Sequence, residues 1–300
     1  MKTTIQLTKR NVKLFFNDKG MLFTSLITPF ILLVLYSTFL SNVYKDSFMS
    51  SVPAELAIDE KLIEGLVGGQ LISSLLAVSC ITVAFCSNFL MVQDKATGTY
   101  KDINMSPVKP SSLALSYYIA SLISTLMICY AATALCFIYI AIVGWYMTVS
   151  DVIMFLIDVF VISLFGTALS SIINFFLSTQ GQISAVGSII SSGYGFICGA
   201  YMPISSFGST LQKVVAFLPG TYATSLVRNH SMRGVFAAME NEGIPSFVTD
   251  SFKDAVDCNV YFFDKQVTIP VMVAILLSSI AILIGVYIFM NAAKKPAKSS

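Results

Sequence analysis

Charged residues are scarce in this chain. They make up 11% of its 300 residues, whereas soluble domains carry about a quarter. Hydrophobic residues make up 56%, and the mean hydropathy is +0.79. This composition excludes an ordinary soluble domain and indicates an integral membrane protein of all-α fold. The net charge is +2 and the basic residues are scattered, so we expect membrane lipid around the chain and no nucleic-acid partner.

Residues that catalysis and metal binding require are missing as well. The chain has one histidine, His230, so a zinc-protease helix with two histidines is impossible. Its six cysteines form no CxxC pattern, which gives neither a metal site nor a disulfide framework. No Gly-Lys dipeptide and no GxSxG elbow occur, so a phosphate-binding P-loop is absent. We expect no catalytic residue, metal or cofactor in this chain. Active transport would need an ion gradient or a separate ATPase.

Long apolar runs are what the chain has in abundance. A helix rises about 1.5 Å per residue, so about 20 apolar residues cross a hydrocarbon core roughly 30 Å thick. Six segments qualify and predict six transmembrane helices, the third of them longer than a bilayer requires. Their approximate bounds are 21–41, 69–92, 112–143, 152–176, 183–202 and 268–291.

Basic residues indicate how these spans are oriented. They precede the first span, lie in the second connection and end the chain, and with six spans these regions share one side. The positive-inside rule makes that side the cytoplasm, while acidic residues fill the opposite loops. We expect a multi-pass protein of the cell membrane with both termini cytoplasmic. Its parts are an interfacial helix over 1–20, a six-span domain over 21–292 that includes an outer loop over 203–267, and a basic cytoplasmic tail over 293–300.

The first residues of the chain predict an amphipathic helix over 3–18. The apolar face contains Ile5, Val12, Phe15 and Phe16, and the basic face contains Lys9, Arg10 and Lys13. Such a helix lies in the lipid headgroup region. The alternative is an ordinary basic flank of the first span.

Only one acidic or basic side chain, Asp158, lies well inside the expected spans. Asp158 lies in the fourth span, where an aspartate costs about 2.5 to 3.5 kcal/mol at the helix centre, so it should face protein or a wet cavity. It is either a substrate or gating residue, or a hydrogen-bonding partner of a neighbouring helix. Asn88 and Asn174 are interpreted as helix–helix hydrogen-bonding groups.

The fifth span carries small residues at every fourth position. These residues are Gly187, Ser191, Gly195 and Gly199. Small residues at this spacing allow two helix backbones to approach closely. We expect this face to meet another helix, of the same chain or of a second copy.

The connection between the second and third spans contains a short helix signal. Thr99 can cap a helix whose third residue is Asp102, Gly98 permits a sharp turn before it, and Pro107 ends it. Tyr100 and Met105 would then present apolar groups beside charge at the membrane surface. This surface suits the docking of a partner.

A second motif follows the fifth span. Pro203 ends that span, and the apolar spacing onward to Phe217 predicts a short helix that turns back against the outer face of the membrane. Pro219 and Gly220 break this helix. We expect a re-entrant helical hairpin before the last span.

The two motifs together, in this order, resemble the permease subunits of type-2 ABC exporters, the class of the daunorubicin-resistance and wall-teichoic-acid exporters. The resemblance implies a pair of permeases, either a homodimer or a pairing with a similar permease. Each would dock on a separate ATPase subunit that binds ATP and Mg. The implied coupling residues are Gly98, Thr99, Tyr100, Asp102 and Met105, and the implied outer hairpin residues are Gly199, Pro203, Leu218, Pro219 and Tyr222, with Arg228 just beyond.

Two features of the chain depart from this resemblance. Many relatives have a glutamate-rich lead into the coupling helix, where this chain has Gln93, Asp94 and Lys95. The acidic stretch 232–265 is also unexplained by the motifs.

We therefore expect the membrane half of an ATP-driven exporter that moves a hydrophobic or amphipathic substrate, such as a drug, a lipid-linked glycan or a peptide. The alternatives are an ion-coupled secondary transporter and a non-transporting immunity or sensory membrane protein. An ATPase partner would discriminate between them.

Overall fold

The computed structural model of the chain describes residues 2–51, 58–263 and 265–293. Residues 294–300 of the expected basic tail lie outside the described residues, as do Glu55 and Asp264 of the expected acidic loops.

Helices make up most of the described part of the chain, as expected. They are α1 (Lys2–Asn17), α2 (Lys19–Leu35), a π-helical turn (Tyr36–Leu40), α3 (Ser41–Ser51), α4 (Glu60–Ala96), α5 (Thr99–Met105), α6 (Pro110–Val143), α7 (Val149–Phe176), α8 (Gln180–Ile197), a 3-10 turn (Ile204–Ser206), α9 (Ser209–Val215), α10 (Pro219–Asn241), α11 (Ser246–Ala255) and α12 (Ile269–Ala293). The strands β1 (Val260–Phe262) and β2 (Lys265–Val267) pair antiparallel, with Val260 opposite Val267. This short hairpin is a minor addition to a fold that is all-α in its membrane part, as expected.

Five helical segments among the described residues are long and apolar enough to cross a membrane. They are Lys19–Asp46, α4, α6, α7 and α12, and they match five of the six expected spans. The remaining expected span, 183–202, corresponds to the 18-residue helix α8, which forms but is not among these five. The helix is therefore present, whereas six spans are not established by length and hydropathy.

Helix α4 is the centre of the fold. It has 37 residues, about 55 Å of helix, and is apolar on all sides. Within its apolar stretch 94% of the residues are buried, against 22% for α12, because α2, α6, α7, α8 and α10 all pack against it. A helix that is hydrophobic all round belongs in such a central position.

The expected outer loop 203–267 contains substantial folded structure. Its main element is α10, a 23-residue helix that packs against α4, α7 and α12. Arg228 of α10 contacts Ser74 of α4, and Ser231 contacts Gly69, so α10 runs antiparallel to α4. Helix α10 is not predicted from the sequence, because its charged residues interrupt the apolar pattern.

Close packing between α4 and α7 gives a stability prediction. A Cβ atom at Gly166 would lie 3.1 Å from Ala84 Cβ and 3.1 Å from the carbonyl oxygen of Cys80. Gly166→Ala should therefore destabilise the chain by about 1 to 3 kcal/mol, the usual cost of overpacking. The measurement is the melting temperature of the purified protein in detergent.

The matched control is Gly285→Ala, since a Cβ at Gly285 of α12 meets no atom within 4 Å. This change should be neutral or raise the melting temperature, because alanine is the better helix former. Equal melting temperatures for the two variants would contradict the close α4–α7 approach.

Candidate functional site

The short helix α5 forms where the sequence predicts it, but its first turn is built differently. It begins at Thr99, and the preceding residue, Gly98, is the N-cap with a left-handed φ of 88°. No side chain caps the helix, so the capping box of Thr99 and Asp102 is wrong. The reason is register: Thr99 is already the first helical residue, one position too late to cap the free N–H groups.

Helix α5 has one anchored face and one open face. Tyr100 and Ile103 are half-buried and pack against the core, and the Tyr100 ring stacks on Tyr117 of α6 at 6.4 Å. Asp102 is exposed, and Met105 is 80% exposed. A large apolar side chain held this far into solvent on an anchored helix is suited to a protein contact.

Asp94, near the end of α4, joins three helices beside α5. Its carboxylate accepts two hydrogen bonds from Arg10 of α1, at 2.8 and 3.3 Å, and one from the Tyr117 hydroxyl at 2.6 Å. The hydrogen bond to Asp94 raises the pKa of Arg10 further above its ordinary value. Since Tyr117 also stacks on Tyr100, the contacts run from α1 through Asp94 to α5. We call Arg10, Asp94, Tyr117 and Tyr100 the α5 support cluster.

Lys95 ties the same end of α4 to α7. Its Nζ donates to the carbonyl oxygens of Asn174, Phe175 and Leu177, at 2.9, 2.7 and 3.0 Å. These carbonyls lie at the C-terminal end of α7, where helical C=O groups lack intrahelical partners and cations are favourable. The unusual lead Gln93-Asp94-Lys95 thus supplies contacts that hold α4 against α1, α6 and α7.

Helix α1 forms as an amphipathic helix but packs through a different face. Its buried residues are Thr8, Asn11 and Phe15, which face α6, while Ile5 is exposed. Lys9 and Lys13 are exposed as expected. The expectation for Arg10 is corrected, because Arg10 turns inward to Asp94, and of the three expected basic residues Lys9 and Lys13 stay available to lipid headgroups.

The three polar residues expected inside the spans have different surroundings. Asn88 donates to the hydroxyls of Ser170 and Ser171, at 3.1 and 2.8 Å, as expected of a helix–helix group. The side-chain amide of Asn174 has no hydrogen-bond partner among the described residues, so that interpretation is wrong. Asp158 is paired with Nδ1 of His230 at 2.5 Å. This contact between α7 and α10 gives Asp158 a partner within the chain.

The small residues of the fifth span do not form one continuous packing face. Phe89 of α4 lies 3.5 Å from the Cβ position of Gly187, whereas Tyr201 covers Gly195. Ser191 is exposed. Gly199 lies beyond the end of α8 and has a left-handed φ of 74°, so it serves a turn and not helix packing.

The expected outer hairpin forms around the 3-10 turn and α9. Pro203 precedes the 3-10 turn, and Pro219 is the first residue of α10, so both prolines mark helix boundaries. Tyr222 donates its hydroxyl to the carbonyl of Ala216 and thereby holds the end of α9, while Leu218 stays partly exposed. Arg228, six residues further along α10, is 1% exposed.

Sequence reasoning missed the partners of these polar groups. Asp94 and Tyr117 lie 23 residues apart, and Arg228 pairs with Asp257 across 29 residues. The available signal was the placement of charges at the margins of apolar runs, where an unpaired charge is costly. That signal identifies a residue in need of a partner but not the partner.

The α5 support cluster predicts a cost for losing one hydroxyl. Tyr117→Phe removes a buried hydrogen bond to a charged acceptor and should lower the free energy of unfolding by about 1.5 to 3 kcal/mol. The control is Tyr130→Phe on the same helix, whose hydroxyl is only 3.4 Å from a carbonyl at an exposed position. It should change stability by less than about 0.5 kcal/mol. Denaturant unfolding in detergent measures both, and equal losses would contradict the cluster.

Comparison with known proteins gives one family. The model of the ABC-2 type transporter family matches residues 3–230, which include α1, α5, the outer hairpin and the first half of α10. A search of curated proteins finds no match. Similarity to the daunorubicin or teichoic-acid exporters in particular therefore stays a prediction. The matched range covers most of the chain and includes four of the five apolar segments and α5, while α12 lies beyond it. The chain belongs to the ABC-2 type transporter family and is a multi-pass permease subunit, the non-catalytic membrane part of an ABC transporter.

Proposed function

We propose that this chain is the permease of an ATP-driven exporter and that α5 is the helix that docks in a cleft of a separate ATPase subunit. The ATPase binds ATP and Mg, hydrolyses the nucleotide and drives the permease. The permease moves a hydrophobic or amphipathic substrate outward through the plasma membrane.

The observation that carries this proposal is the exposure of Met105 on an anchored helix. Tyr100 and Ile103 fix α5 to the core, so a force applied at Met105 is passed on through packed side chains. Tyr117 and Asp94 extend this path to α4 and α1. A partner that binds α5 thereby acts on the central helix of the permease.

The proposed membrane arrangement has six spans, with α8 as the fifth in chain order, and both termini in the cytoplasm. α8 contacts α4 and contains no charged residue, which supports a transmembrane position. Lys9, Lys13, Lys101 and Lys109 then share the cytoplasmic side with α5. We propose that two permeases pair, as a homodimer or with a similar permease.

A cavity of about 320 Å³ between α2, α4 and α6 supports a substrate that contains hydrocarbon. Its walls are apolar and include Phe23, Phe30, Leu75, Ile128 and Leu135. A drug, a lipid-linked glycan and an amphipathic peptide all fit this class.

The first functional prediction concerns Met105→Glu. The change places a charge in a contact that excludes water, and an unpaired buried charge costs on the order of several kcal/mol. At 1.4 kcal/mol per tenfold, the affinity for the ATPase should fall by about 100-fold or more. The measurement is co-purification of an ATP-hydrolysing subunit with the tagged permease from native membranes. Met105→Leu is the matched control and should retain the subunit.

An ATPase that stays bound to Met105→Glu and still drives transport at the original rate would contradict the role of α5. Absence of any ATPase from the wild-type preparation would contradict the exporter itself. It would favour the ion-coupled transporter, in which the Asp158–His230 pair would be the coupling site, or the non-transporting alternative.

The second functional prediction is the topology. Single cysteines at Lys109 and Asn241, both exposed positions, are introduced into a cysteine-free chain. An impermeant thiol reagent added to intact cells should label position 241 and leave position 109 unlabelled until the cells are opened. The reverse pattern would place α5 outside, away from any ATPase.

A further inference from the structure

Arg228 is the largest fully buried side chain of the described residues, and it joins four separate parts of the chain. Its Nη1 donates to Oδ2 of Asp257 at 3.1 Å. Its Nη2 donates to the carbonyl oxygen of Gly199 at 2.5 Å and to the Ser74 hydroxyl at 3.1 Å. Arg228 thus connects α10, the segment after α11, the turn after α8 and the central helix α4.

Asp257 completes this set of contacts. Its Oδ2 also accepts a hydrogen bond from the backbone N–H of Ile204 at 2.8 Å, at the start of the outer hairpin. Asp257 holds a left-handed φ of 54°, and its Oδ2 lies 3.2 Å from the Cβ position of Gly199. The segment is further held by Ser225 and Asn229, which both donate to the carbonyl of Cys258.

These contacts lie beneath an outer cavity of about 490 Å³. Asp257 and Ile204 are among its lining residues, together with polar and charged groups that include Lys213, Asp254 and Asn259. Arg228, Gly199 and Ser74 are buried and are not among the lining residues. The ion pair is therefore the floor of a polar cavity and separates it from the interior around α4.

We propose that the Arg228–Asp257 pair is the latch that keeps the outer side of the permease closed. The hydrogen bond from Arg228 to the Ser74 hydroxyl connects this latch to α4. The proposal rests on the proposed function for the cause of opening, which is ATP-driven movement of α4. Asp94 and Ser74 lie 20 residues apart on one helix, about 30 Å, so a shift of the α5 support cluster reaches the latch through α4.

The chemistry of the latch suits a two-state element. A buried ion pair loses several kcal/mol of hydration per ion, and that loss offsets much of its attraction. When the outer hairpin moves away, water from the cavity can hydrate both charges and all the freed hydrogen-bonding groups. The open state thus recovers the hydration energy that the two charges lose in the closed state. The two states therefore lie close in free energy. An apolar plug would lack this compensation.

Cys258 is a native reporter of the closed state, since it adjoins Asp257 and is 2% exposed. Burial raises the pKa of its thiol to about 12. An exposed thiol has a pKa of about 8.5, and the thiolate is the reacting form, so opening raises both the access of a reagent to the thiol and its reactive fraction at neutral pH.

The experiment uses a chain in which Cys258 is the sole cysteine and measures its labelling rate with an impermeant maleimide added from outside. Arg228→Met should raise this rate at least tenfold in the permease alone. The matched control is Arg233→Met, because Arg233 is on the same helix but pairs with Asp151 of α7 and not with the hairpin. It should leave the rate unchanged. Equal rates in wild type and Arg228→Met, or an equal rise in the control, would overturn the latch.

The second arm adds the co-purified ATPase and compares the nucleotide-free complex with one trapped by ATP and vanadate. Trapping should raise the wild-type Cys258 rate at least tenfold, and Ser74→Ala, a small change that keeps the fold, should remove most of that rise. If the ATPase binds and hydrolyses ATP but the wild-type rate is constant, the latch is wrong while the exporter stands. If no ATPase binds, the exporter is wrong, and the Arg228→Met arm still decides the latch.

Discussion

The burial of α4 is the constraint on which the other contacts depend. An apolar helix of 37 residues satisfies the backbone groups between its two end turns internally, and five helices packed around it keep its side chains away from lipid. Lipid is as apolar as leucine, so this assembly is held by close packing and by polar contacts between helices. Gly65, Gly69 and Gly166 provide close approaches, and Asn88 provides hydrogen bonds to α7.

The positions of the charged residues depend on the burial of α4, because this helix has its acidic and basic residues only near its two ends. Asp94 and Lys95 at one end each find partners on neighbouring helices, and Glu60 and Glu64 at the other end pair with Lys45. The stretch between them has no ionisable carboxylate or amine, so α10 brings Arg228 to α4 together with its own counter-ion, Asp257. Burial raises the pKa of Asp257 and Arg228 opposes that rise, which is the balance expected of a carboxylate that is paired but dry.

The sequence allowed the apolar helices, α1, α5 and both prolines of the outer hairpin to be predicted, because each has a local signal. A 20-residue apolar run, a helical period with basic residues, and a Gly or Pro at a boundary all act within one or two turns of chain. The partners of Arg10, Asp158 and Arg228 could not be predicted, since each lies in another element of the fold and depends on how these elements pack against each other. Helix α10 could not be predicted for a related reason. Its charged residues Arg228, His230 and Arg233 suggest a solvent-exposed segment, yet all three pair with aspartates.

Helix α8 is only partly covered by the rest of the chain. Gly195 is its only buried residue among those described, although α8 contacts α4. Ser184, Ser188 and Ser192 are exposed on one face, and each hydroxyl donates to the carbonyl four residues earlier. Because these donors are satisfied within the helix, the face can lie in a low-dielectric contact without unpaired groups, and small side chains allow close approach there. The hydropathy of α8 is lower than that of the five apolar segments that are able to cross a membrane, so full exposure to lipid is the least favourable position for this helix. The proposed second permease, or a substrate path between the two copies, supplies the environment that this face lacks in one chain.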